Sequence, residues 1–222
     1  MVNELNIFHI ASLIIYIVFV VKAQKPNLIS SLVQDSNGTN RLFAAVAVTA
    51  VLWSFDAGIY PLLSVHLLAS TVTTLMFGWR LALIVQLTVI VLLVLTGQIA
   101  WQHAGMTGLS DSVVTVGLSY FIYMLSYHYL PRHFIVYVFV CGFFAAACSM
   151  IAHMLFTTTY LVLLNDYFGQ YDWPIIRDNY LILTLLTWFP EAFLNGMLVT
   201  LLVVYKPDWM STFFDSEYLN NK

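Results

Sequence analysis

Six histidines stand in a chain otherwise poor in ionisable groups, and four of them, His9, His66, His103 and His153, are of a type and placement that suit coordination chemistry. A neutral imidazole nitrogen joined by a carboxylate oxygen is a donor set for borderline divalent metals such as Co, Ni, Cu or Zn. Asp56 precedes His66 across the connection DAGIYPLL, which Gly58 and Pro61 make non-helical. His9 falls about one turn inside the first apolar run, His103 lies in QIAWQHAGMTGLSD, and His153 is roughly twenty residues into a long apolar run. Each histidine has a hydrogen-bonded packing role beside its ligand role. His66 is the strongest donor, because broken backbone and acidity meet there. His128 and His133 flank Pro131 and Arg132 and read as interfacial.

Glu191 is the other costly residue, near the middle of the last apolar run in WFPEAFLNGML. An ionisable group at that depth is a functional hypothesis by default, and hydrogen bonding to a neighbouring helix is its competing role. Pro190 removes a backbone donor and is expected to kink the helix, while Asn195, four residues on, shares the face of Glu191. No Ser/His, Cys/His or HExxH constellation accompanies it, so intramembrane catalysis ranks lowest. There is no Walker-type phosphate loop either, and the chain is not expected to be an enzyme.

These residues must be held by membrane helices. The 222-residue chain is 61% hydrophobic and only 9% charged, with mean hydropathy +0.86, where a water-soluble domain carries about 25% charged residues. A cytosolic enzyme, a nucleic-acid-binding module and a receptor with a soluble ectodomain are excluded. The expected fold is all-α, a single integral membrane domain over 1–222. Apolar runs occur at roughly 5–21, 42–55, 64–78, 81–98, 112–130, 134–164 and 179–205, about seven spans at 20 residues each. The first run has acidic residues before it and basic residues after it, the reverse of a signal peptide, and reads as a retained span.

Sidedness follows from the basic residues. With the N-terminus outside and the C-terminus inside, Lys22, Lys25, Arg41, Arg80, Arg132, Lys206 and Lys222 are inner, and only Arg177 is outer. The outer side then carries Glu4, Asp56, Asp111, Asp166, Asp172 and Asp178, an acidic rim that attracts cations or is merely solvated. The connection between the second and third runs has two readings: an ordinary interfacial turn, or irregular backbone at membrane depth, tolerated only where protein or a watery cavity satisfies its polar groups. Trp101, Trp173, Trp188 and Trp209 suit interfacial anchoring. Ala145, Ala146, Ala147, Ser149 and Ala152 suit close helix packing. Asn37-Gly38-Thr39 matches a glycosylation acceptor, but on the inner side. Cys141 and Cys148 lie too far apart along one helix for a disulfide.

The string GIYPLLSVHLLASTVTTLMFGWRLALI resembles a segment of CbiM-type permeases, the substrate-binding membrane components of cobalt and nickel energy-coupling factor transporters. His66-Leu67-Leu68-Ala69 and the turn at Gly78 carry that resemblance. GMTGLSDSVV is similar to the family's second glycine-containing loop, and FPEAFLNGMLVTLLVVYKPDW to the terminal span of a divergent branch. The similarity runs from about 40 to 210. It implies a helical bundle in a bacterial inner membrane, taking a divalent transition-metal ion as substrate, Co or Ni, from the outer side. No organic cofactor or nucleic acid is implied; a transmembrane coupling protein and cytoplasmic ATPases are implied as partners. The family builds its metal site on an N-terminal Met-His start, whereas this chain begins Met1-Val2-Asn3. His66 therefore carries over as a ligand, with His9, Asp56 and His103 as the residues that would complete its shell. A protein that holds or escorts metal without transporting it is the alternative.

Overall fold

The computed structural model describes residues 7–25, 36–58, 63–163, 171–214 and 218. Met1-Val2-Asn3, Glu4, Pro61, Asp166 and Lys222 lie outside these. The described residues are almost wholly helical: α1 Ile7–Ala23, α2 Ser36–Ser54, α3 Ser70–Leu95, α4 Ala104–Tyr129, α5 Phe134–Leu163, α6 Trp173–Asn179 and α7 Thr184–Tyr205. Among them, four stretches are long and apolar enough to cross a membrane: α3, α4, α5, and Trp173–Tyr205, which joins α6 to α7. The apolar α1 is shorter, 17 residues, or about 25 Å. Large apolar side chains such as Phe43, Leu95, Phe139, Leu185 and Phe189 point outward, as a bilayer requires and water would penalise.

Three departures from regular helix shape the molecule. At Gly78 the backbone takes φ 76° and ψ 161°, a region open essentially to glycine alone. This is the turn expected there, and it divides α3 into two helical pieces. Residues Gly108–Val114 of α4 and Tyr137–Phe144 of α5 are π-helical, a form that recurs at functional sites. Pro190, by contrast, leaves α7 continuous. The irregularity of the last stretch falls earlier, at Tyr180 and the 3₁₀ turn Leu181–Leu183.

Small residues set the closest approaches. α1 lies directly on the start of α4, where Gly105 faces the backbone of Leu13 and Gly108 faces the Tyr16 ring. α5 packs between α4 and α7 through buried Ala145, Ala146, Ala147 and Ser149, the packing expected of its small residues. A ladder of hydroxyls joins α3, α4 and α5: Thr71 to Ser119 at 2.8 Å and Ser119 to Ser149 at 2.9 Å. Cys141 and Cys148 are free thiols. At one end of the bundle the chain after α7 folds back, so that Ser211 N–H donates to Met76 O and the Thr212 hydroxyl to Leu75 O. Arg41 donates to Asp208 O, and Gln24 to Arg80 O. Arg41, Arg80 and Lys206 thus gather at that end.

Candidate functional site

The described residues between α2 and α3 are irregular, and several of their backbone groups are met by protein. Ala57 and Val65 form an isolated antiparallel bridge, with N–H to O distances of 2.9 and 2.8 Å. One residue beyond Val65 comes His66. Its ring lies 5.0 Å from that of Trp53, whose indole N–H reaches past it to donate to Leu68 O at 3.0 Å. The N–H groups of Leu68 and Ala69 donate to Glu191 Oε2 and Oε1, at 2.8 and 2.9 Å. Val72 N–H donates to Asn195 Oδ1 at 2.9 Å, and Asn195 Nδ2 donates to Glu191 Oε1 at 2.7 Å. In the described part of this connection, the N–H groups of Ala57, Val65, Leu68 and Ala69 are each met by protein.

Against His66 stands Asp111, from the π-helical part of α4. His66 Nε2 is 3.5 Å from Asp111 Oδ2, and His153 Nδ1 of α5 is 2.9 Å from Asp111 Oδ1. The Ser110 hydroxyl donates to Asp111 Oδ1 as well. His153 Nε2 meets the Tyr180 hydroxyl at 3.3 Å. A connected row therefore runs Tyr180, His153, Asp111, His66. Asp111 and His153 side chains are each 5% exposed, whereas His66 is 13% exposed. His66 is the member of the row that the surroundings can reach.

Sequence position had suggested other companions for His66. Asp56 is exposed just beyond the end of α2 and makes none of these contacts. His9 and His103 meet each other, with ring centroids 5.3 Å apart, near the start of α4. Burial, with a smaller contribution from His9, holds the His103 imidazole below its ordinary value. Asp111, read as a rim acid, is buried instead, because the π-helical turn places it between α1, α5 and the His66 segment. Its one sequence signal was the polar triplet Ser110-Asp111-Ser112 beside an apolar run, all three of which are buried.

Two imidazoles and a carboxylate are the donor types that suit a divalent transition metal. In the described arrangement the two imidazoles face the carboxylate between them, and no group of three or more His, Cys, Asp or Glu among the described residues stands ready as a metal cage. The geometry is that of a carboxylate orienting a histidine: an imidazole whose one nitrogen faces a carboxylate presents its other nitrogen in a fixed direction and with raised basicity. Asp111 does this for His66, and His153 with Tyr180 fixes Asp111.

The family model for CbiM, the cobalt uptake substrate-specific transmembrane region, matches residues 2–209. The chain belongs to the CbiM family. The match takes in α1, which the resemblance from about residue 40 onward had left out. No curated protein and no solved structure matches the chain. As a CbiM member it is a multi-pass membrane component of cobalt uptake. A separate cavity of this CbiM chain, lined by Gly78, Arg80, Tyr120, Tyr123, Ser211 and Thr212, lies at the basic end. Tyr123 is about 18 Å along α4 from Asp111, and that cavity holds none of the histidines.

Proposed function

We propose that the chain is a single integral membrane domain of seven spans, N-terminus outside and C-terminus inside. It captures a divalent transition-metal ion, cobalt or nickel, from the outer side of a bacterial cell membrane. It works as the substrate-binding component of an energy-coupling factor transporter, with the coupling protein and the ATPases as separate subunits. Gathering of Arg41, Arg80 and Lys206 at one end supports the orientation, by the positive-inside rule. His66 is the donor to the metal, oriented by Asp111. His9 and His103 form an outer histidine pair on the way to it, and Asp56 is an outward carboxylate that concentrates cations. The observation that carries the reading is His66 itself: a partly accessible imidazole on irregular backbone held by hydrogen bonds at Val65 and Leu68, backed by a buried carboxylate, in a cobalt-uptake family member.

Transport is tested in vesicles holding the purified chain with whatever coupling protein and ATPases co-purify, supplied with ATP and external cobalt(II). Luminal cobalt above that of protein-free vesicles is the expected result. Cobalt bound to the chain with no luminal accumulation would establish the escort role in its place.

A further inference from the structure

Glu191 is fully enclosed, 1% exposed, in a helix long enough to cross a membrane, where a carboxylate is expensive unless its oxygens are all occupied. Its occupants are main-chain groups. Leu68 N–H and Ala69 N–H take one oxygen each, and Asn195, one helical turn along, takes Oε1 a second time and adds Val72 N–H to the set. These are the donors leading into the first turn of α3, which have no carbonyl of their own helix to bond. Ala69 between them has φ 51° and ψ 20°, left-handed backbone that alanine occupies only at a cost and keeps only where its surroundings hold it there.

The consequence reaches His66. The Leu68 residue is held on both sides, its N–H by Glu191 and its carbonyl by the Trp53 indole, and the Trp53 ring also lies against His66. A plain tie between two helices would not need to grasp three amides of one short segment. We propose that Glu191 and Asn195 are positioning residues for metal capture: they clasp the segment that carries His66, and through it fix the direction in which that imidazole meets the ion. This rests on the reading of His66 as the metal donor.

The test is cobalt(II) titration of the purified full chain in detergent, with the visible absorption of the bound ion and amide exchange over residues 63–76 as parallel readouts. Glu191→Gln leaves one oxygen and turns an amide N–H₂ toward backbone N–H. It is expected to weaken cobalt binding about 10- to 100-fold, as loss of an orienting partner does at metal sites, to shift the absorption bands and to speed exchange of the segment. Asn195→Ala removes the Val72 bond, one bond to the carboxylate and one to the Glu191 carbonyl, but leaves the Leu68 and Ala69 bonds, and is expected to act in the same direction with a smaller loss. Thr200→Val, which also deletes a side-chain hydrogen bond in α7, is expected to bind as wild type does. If Glu191→Gln fails to fold, Asn195→Ala decides. Wild-type affinity and absorption in the clasp variants, with His66→Ala inactive, would overturn this inference and leave the uptake reading standing. A wild-type chain that binds no cobalt would overturn both.

Discussion

Replacing Asp111 by alanine is expected to lower the unfolding free energy by about 3–5 kcal/mol, the cost of stripping one partner from a buried charged contact. The carboxylate faces His66 and His153 and takes the Ser110 hydroxyl, and Asp111, His153 and Ser110 are shielded from water by helix packing. Removing it leaves a cavity and takes the carboxylate away from the Ser110 hydroxyl and from one nitrogen of each imidazole. Asp111→Asn separates the effects, since it keeps the shape and some of the hydrogen bonding but removes the charge. It is expected to cost less stability than alanine while still weakening cobalt binding, because an amide raises the basicity of His66 less than a carboxylate does. Thermal unfolding in detergent, scored beside cobalt titration, reads both. A change below about 1 kcal/mol for alanine would mean that Asp111 behaves as a solvated surface acid.

Gly105→Val is expected to detach α1 from the bundle. A Cβ at Gly105 overlaps the backbone nitrogen and Cα of Leu13 as well as Ser12 Oγ. Backbone atoms cannot rotate aside as a side chain can, so α1 must lift. The cost should reach or exceed the upper end of the roughly 1–3 kcal/mol typical of overpacking. Tyr16 sits one turn along on the same face, against Gly108 and close to Ser112, so lifting α1 also unroofs the approach to Asp111. The expected readouts are a lowered melting temperature and faster proteolysis in the connection after α1. Gly117→Ala, where an added Cβ meets nothing within 4 Å, is the control and should be neutral.

What could be read from sequence followed periodicity and cost. Apolar runs marked the helices, because a bilayer leaves the backbone few other options, and Gly78 marked a turn within one. His66 and Glu191 were conspicuous because polar groups in such runs need a reason. Their partners were not readable. Asp111 and His153 come from two further helices, 45 and 87 residues beyond His66 by the numbering, and no local pattern links them. Asp56 drew notice by nearness along the chain, yet its side chain is exposed and takes no part in the His66 row. Glu191 bonds to main-chain N–H groups, which every residue but proline has, so sequence carries no trace of its role.

In the function proposed for this chain, His66 holds a divalent transition-metal ion. This is tested most directly by elemental analysis of the purified chain after cobalt(II) loading and desalting, with His66→Ala treated in parallel. The expected result is about one cobalt per wild-type chain, the stoichiometry of a single imidazole-based site, and almost none in the variant. Equal cobalt in the two proteins, or none in wild type, would contradict it.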